Sequence, residues 1–145
     1  MPLIQLEHYL VLTDDIDATR DFYCGALGMR EGPRPPLDFP GYWVYLGAVP
    51  CIHIADWSGY RAYSQATGIA MSTRAAGTGP VDHIAFSAVD YQSVKARLLS
   101  AGITAAENVV PGVGLRQLFL LDPNGVKIEI NIPAEPQSQP AVNRL

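Results

Sequence analysis

The chain repeats itself, and that duplication limits its possible folds more than any other feature. "LEHYLVLTDDIDATRDFYCGALG" opens as an apolar strand, passes through acidic residues and runs into a helix. "VDHIAFSAVDYQSVKARLLSAG" does the same in the second half. Ile16, Tyr23 and Leu27 form an apolar stripe on the first helix, and Gly28 suits its stop. In the second, Asp90 suits the N-cap, Val94, Leu98 and Ala101 form the stripe, and Gly102 ends it. His8 and His83 are 75 positions apart (83 − 8). His53 in "CIHIA" and Glu129 in "KIEIN", the centres of the two closing strands, are 76 apart (129 − 53). Two spacings in one register predict a duplicated βαβββ unit, an α+β fold. Strands are expected near 42–46 and 51–55 in the first unit, and near 114–121 and 126–132 in the second.

These units divide the chain. Module 1 spans about residues 3–56 and module 2 about 81–132, together one domain over 1–132. The connection over 57–80, "WSGYRAYSQATGIAMSTRAAGTGP", is too long for a tight turn and is expected to hold a short helix and to serve as a lid or interface. The Pro- and Gln-rich stretch 133–145 reads as a flexible tail.

Composition excludes several classes of partner. The chain has 145 residues, 48% of them hydrophobic and 17% charged, as in an ordinary globular domain. A net charge of -4 with no Lys/Arg cluster speaks against nucleic acid. No apolar run reaches membrane-spanning length, and "MPLIQLEHYL" lacks a signal-peptide pattern, so a cytoplasmic protein with no membrane partner is expected. Cys24 and Cys51 have no metal-type spacing and read as reduced thiols.

The candidate chemistry comes from the direction of strand side chains. In "LFLLDPNGVKIEINI", Asp-Pro-Asn-Gly at 122–125 signals a hairpin that pairs Asp122 with Val126. The register then sets Phe119 opposite Glu129 and Gln117 opposite Asn131. Glu129 shares a face with Gln117, Phe119, Lys127 and Asn131, away from the isoleucines. By the same alternation His83 and His53 leave the apolar face of their strands. His8, whose strand is apolar on both sides, follows His83 by repeat position. Glu129 is then either a solvated strand residue or one that faces a cation held with the chain's three histidines. Imidazoles plus one carboxylate suit Fe, Mn, Ni, Co or Zn as a divalent ion. Arg116 and Lys127 read as surface residues. Tyr42, Trp43, Trp57 and Tyr60 are candidates for an aromatic pocket.

Three stretches, "FYCGALGM", "DHIAF" and "FLLDPNGVKIEI", carry a resemblance over Leu3 to Ile132. The sequence resembles the vicinal oxygen chelate superfamily, which includes glyoxalase I, methylmalonyl-CoA epimerase, fosfomycin-resistance proteins, extradiol dioxygenases and bleomycin-resistance proteins. The resemblance implies two tandem βαβββ modules that form a cupped, barrel-like mixed sheet with helices outside. It implies a divalent metal held by His8, His53, His83 and Glu129, and a small-molecule substrate bound through neighbouring oxygens. It also implies modules that close within one chain or across a homodimer, the dimer being the expectation here.

The departures from the family pattern discriminate among its chemistries. His53 stands where glyoxalase I has glutamate, and Leu12 where it has a basic residue for glutathione. Phe119 replaces the tyrosine of extradiol enzymes, and residues 108–118 lack their histidine. The leading expectation is a glyoxalase- or epimerase-like lyase or isomerase, with His53 and Glu129 as the catalytic candidates and His53 either a ligand or a base. The alternatives are an extradiol-type Fe(II) dioxygenase acting on a catechol and a non-catalytic protein that binds an antibiotic or other aromatic ligand.

Overall fold

A computed structural model describes residues 5–70, 74, 76–79, 81–110, 112 and 114–133. The proposed tail beyond Pro133 and residues 1–4, the first two of module 1 among them, lie outside the described residues. The first module runs β1 (Tyr9–Thr13), α1 (Ile16–Asp21) with a π-helical turn over Phe22–Ala26, β2 (Arg30–Gly32), β3 (Gly41–Leu46) and β4 (Val49–Asp56). After α2 (Trp57–Thr67) the second runs β5 (Ile84–Ser87), α3 (Tyr91–Ser100), β6 (Ala106–Val110), β7 (Leu115–Leu121) and β8 (Lys127–Pro133). Each module is one four-stranded sheet, ordered β1-β4-β3-β2 and β5-β8-β7-β6, with the opening pair parallel and the rest antiparallel.

The duplicated βαβββ unit is therefore present, and so is the expected helix in the connection. Among the described residues no strand of one sheet pairs with the other, so the barrel-like cup consists of two sheets that do not close. His8 and His83 do not sit at strand centres. Each lies just ahead of its strand, and only His53 is mid-strand, in β4.

Local chemistry explains the elements. The Asp15 carboxylate accepts from the Ala18 amide (2.9 Å) and starts α1, and Asp90 accepts from Ser93 (3.1 Å) and starts α3. Gly28 and Gly102 adopt left-handed φ of 71° and 70° just past the helical turns. In the Asp122–Gly125 turn, Asp122 donates its amide to the Val126 carbonyl (2.9 Å), which fixes the predicted register with Phe119 opposite Glu129. Gly41 tolerates no side chain, because a Cβ there would come within 2.1 Å of the Ile54 carbonyl oxygen on the neighbouring strand.

The two modules share one core. Val44, Ile52 and Ile54 of the first sheet join Leu118, Ile128, Ile130 and Ile132 of the second, with Tyr23 and Leu98 from the helical segments. Burying an aliphatic side chain of this size contributes about 1.5–3 kcal/mol. The isoleucines therefore outweigh any single polar contact in deciding which face of each sheet turns inward. Polar contacts then fix how the modules dock. The Tyr23 hydroxyl donates to Asp122 Oδ2 (3.0 Å), Asn124 Nδ2 to Thr19 Oγ1 (3.0 Å), and Arg97 Nη1 to the Gly25 carbonyl (3.2 Å). With the apolar faces joined, the opposite faces carry the histidines.

Candidate metal centre

The second module brings two of the candidate residues together. Glu129 sits on β8 between β5 and β7, and only 7% of it is exposed. Its Oε2 lies 2.9 Å from His83 Nε2. Its Oε1 accepts from Gln117 Nε2 (2.9 Å), which also donates to Asn131 Oδ1 (3.1 Å). Asn108 Nδ2 donates to Gln117 Oε1 (2.7 Å), so three adjacent strands carry one polar ladder that ends on the carboxylate. On the other side of the His83 ring, Nδ1 lies 2.7 Å from Asp82 Oδ2, which Lys127 Nζ also reaches (2.6 Å). Phe119 meets the His83 ring edge to face.

The first module contributes the other pair. The His53 ring is sandwiched between His8 (centroids 3.7 Å apart) and Trp43 (4.0 Å) in a near-parallel stack. Trp43 is directly opposite His53 in the β3–β4 register, so the strand pairing itself sets up half of the stack. Burial, and then the neighbouring His8, lower the His53 pKa to about 4, so the ring is neutral at pH 7 with a lone pair to offer. His8 Nδ1 lies 3.0 Å from Glu7 Oε1, the same carboxylate-before-histidine arrangement as Asp82 and His83.

The four predicted residues thus form two pairs. Among the described residues no three or more His, Cys, Asp or Glu side chains gather as a metal-holding group. The reason lies in the core, since docking the modules through their isoleucine faces turns the two donor-bearing faces outward.

The donor chemistry fits a divalent ion. Metal–donor bonds of about 2.1 Å at right angles place two donor atoms about 3 Å apart, and His83 Nε2 and Glu129 Oε2 stand 2.9 Å apart. A carboxylate on each Nδ1 leaves Nε2 as the ligating nitrogen, the usual arrangement of metal-bound histidines.

Sequence reading missed several residues around these pairs. Alternation and the hairpin register locate Gln117 on the face of Glu129 but carry no sign of its hydrogen bonds. Arg34 was not singled out. It lies in the Pro-rich segment "GPRPPLDFPG", which has no periodicity to read. Its Nη2 donates to the Phe39 carbonyl (2.7 Å), its guanidinium lies over the Phe39 ring, and its buried Nε has no hydrogen-bond partner among the described residues. Its charge is among those that disfavour protonation of His53.

The four aromatic residues meet different partners. Trp43 stacks on His53, Tyr42 donates to Asp17 (2.6 Å), Tyr60 packs on Phe39 and Tyr63, and Trp57 lies by Arg74. A cleft of about 230 Å³ between the π-helical turn, β5 and α3 is lined by Leu27, Met29, Phe86, Val94 and Leu98 among others, and contains none of the candidate residues.

Residues 5–130 match the family model described as Glyoxalase/Bleomycin resistance protein/Dioxygenase superfamily. A protein named Glyoxylase I 4 from Arabidopsis thaliana is 30% identical over 132 residues, covering 88% of this chain and 70% of the relative. Among solved structures, a glyoxylase/bleomycin resistance protein/dioxygenase domain from Frankia sp. superposes with a TM-score of 0.68 at 17% identity, covering 92% of this chain and 95% of its own. The fosfomycin resistance protein FosX from Listeria monocytogenes does so with a TM-score of 0.64 at 14% identity, covering 92% and 96%. At such identities the structural likenesses show the fold alone.

Proposed function

We propose that this chain, which belongs to the Glyoxalase/Bleomycin resistance protein/Dioxygenase superfamily, is a divalent-metal-dependent lyase or isomerase of the glyoxalase and epimerase kind. The observation that carries the reading is the 2.9 Å approach of His83 Nε2 to a buried Glu129 carboxylate. His8, His83 and Glu129 would hold the ion, and His53 stands beside it, stacked on His8. The bound ion supplies Lewis-acid polarisation of two neighbouring substrate oxygens.

The protein's own groups orient the ligands and the substrate. Asp82 and Glu7 hold the Nδ1 side of their histidines, and Trp43 keeps the His53 ring flat against His8. A nitrogen with a pKa of about 4 is a weak base at pH 7, so His53 is a poor proton acceptor in the metal-free protein. Arg34 adds a cation on the His53 side, so a substrate with an anionic oxygen fits this end.

The site is completed across a homodimer. The donor-bearing face of module 2 is open: Ala85 and Ser87 are exposed beside Glu129, and Leu121 at the end of the same face is 60% exposed. A second copy that sets its module 2 face against the module 1 face of the first covers this surface and joins the two pairs.

Calorimetric titration of chelator-stripped protein with Co(II), Ni(II), Zn(II) and Mn(II), and with Fe(II) anaerobically, tests the reading. One tight site is expected, lost in His83→Ala and Glu129→Ala. Loaded protein should then exchange a proton next to a carbonyl in an α-keto hemithioacetal or an acyl-CoA thioester. The absence of any tight site in the folded wild type overturns the proposal. Oxygen uptake with a catechol, without proton exchange, replaces it with ring cleavage.

A further inference from the structure

We propose that Arg34 is a carboxylate receptor, whose guanidinium takes the negatively charged end of a small-molecule ligand on the module 1 face. The inference rests on the reading above that this chain acts on a small molecule, but it needs no metal ion. Its starting point is a cation with nothing to balance it. Arg20 pairs with Asp17 and Asp21, and Arg74 pairs with Asp14. Among the described residues no carboxylate forms an ion pair with Arg34, and Asp38, four residues on, is exposed.

Arg34 is nevertheless half-buried. Its Nη2 donates to the Phe39 carbonyl (2.7 Å), and its guanidinium carbon lies 4.9 Å from the centre of the Phe39 ring. Its Nε is sealed from solvent and has no hydrogen-bond partner among the described residues. A cation withdrawn from water in this way has lost hydration and gained no counter-charge, and a bound anion supplies one. Nη1 is neither sealed nor bonded among the described residues, so the ligand meets the Nη end of the fork.

The loop that carries Arg34 is built to hold still. Pro33, Pro35, Pro36 and Pro40 restrict its backbone, which lowers the ordering cost of binding. The Tyr45 hydroxyl donates to the Pro33 carbonyl (2.7 Å) and the Asp56 amide to the Pro40 carbonyl (3.0 Å), so both ends are tied to the sheet. Phe39 in turn meets Tyr60 (5.3 Å) and Tyr63 (5.0 Å) of α2 edge to face. Gly59 allows that helix to approach, because a Cβ there would come within 2.8 Å of Pro40 Cδ.

Position, charge and shape select the ligand. Gly32 pairs with Trp43 and Trp43 with His53, so these three stand side by side across β2, β3 and β4. Arg34 follows two residues after Gly32, at the edge of that arrangement, and its charge acts on the His53 ring. The other cation of this edge, Arg30, is exposed over the Tyr45 ring, which leaves Arg34 to match a single negative charge. A planar fork meets the two oxygens of a carboxylate side by side, whereas a phosphate ester brings about two charges to one cation.

Nitrogen-15 NMR of the chelator-stripped full chain tests this with benzoate, with neutral benzamide of nearly the same shape, and with inorganic phosphate. Benzoate should move the Arg34 Nε–H and Trp43 indole signals and bind at least about ten-fold more tightly than benzamide, as charge-assisted hydrogen bonds commonly achieve. In Arg34→Met that preference should vanish. In Arg34→Lys, which keeps the charge without the fork, it should fall between the two, and this variant decides the matter if Arg34→Met does not fold. Equal binding of benzoate and benzamide by the wild type, or an unchanged preference in either folded variant, overturns the proposal. Phosphate bound more tightly than benzoate overturns the carboxylate assignment. No metal is present at any step, so these failures are distinct from a failed metal titration, which overturns the metal reading alone.

Discussion

Two side chains, Glu129 and His53, show how far neighbours decide what a residue can do. Glu129 is a carboxylate in an isoleucine strand, tolerated because His83 and Gln117 satisfy one oxygen each. His53 is an imidazole held neutral by burial and by the ring of His8. That has a consequence for stability with a definite sign. Its folded pKa of about 4 lies below the usual value of about 6.5, so as pH falls the unfolded chain takes the proton first. Metal-free protein should therefore lose stability as pH drops from about 6.5 toward 4, and should owe nothing to this group above that window. Melting temperatures of wild type and His53→Asn across that range should converge toward the acid end, whereas parallel curves contradict the assignment. Glu129's face was legible because Asp-Pro-Asn-Gly fixes one register and strand alternation does the rest. The stack of Trp43 on His53 was not, since strand periodicity cannot say which cross-strand neighbours meet face to face. Arg34 was hidden for a different reason, its segment being held by a side-chain-to-carbonyl bond and an aromatic contact rather than by a repeating pattern.

At the scale of elements, the docking of the modules depends on a turn and a helical segment far apart in sequence. Tyr23, fully buried in the π-helical turn, donates to Asp122, itself 5% exposed, at the start of the Asp-Pro-Asn-Gly turn. Asp122 Oδ1 also accepts from the Val126 amide (2.8 Å) and the Asn124 amide (2.7 Å), so one carboxylate shapes the turn and receives the other module. Removing the hydroxyl alone, in Tyr23→Phe, should cost about 1–3 kcal/mol, because a buried acceptor loses its donor. Urea unfolding measures this, and a change within error would mean that the contact is incidental. Strong alternation and the turn made β3, β4, β7 and β8 readable. The outer strands β2 and β6 were not placed, because edge strands bury little: every residue of β6 except Val110 is exposed. The π-helical turn was also unforeseen. It lies at Gly25, and it leaves Tyr23 buried and Leu27 only half-buried, whereas a regular helix stripe predicted both inside.

At the scale of the whole molecule, duplication makes two similar sheets, and the core then decides where their functional faces go. Sequence periodicity identified the apolar face of each sheet but carries no information on how two such faces orient about each other. For that reason four residues expected around one point are found as two pairs. None of the described helices is long and apolar enough to cross a membrane, and the connection supplies α2. The central claim is that module 1 of one subunit and module 2 of another hold one ion between them, and mixing two broken chains tests it most directly. His8→Ala and His83→Ala proteins, each expected to lose tight metal binding, are unfolded together, refolded as an equal mixture and titrated with Co(II). Half of the random dimers then contain one chain of each kind, and one of their two shared sites has no substitution. Tight binding should return at about a quarter of all sites. If the mixture binds no better than either variant alone while the wild type binds fully, the site lies within one chain and the account is wrong.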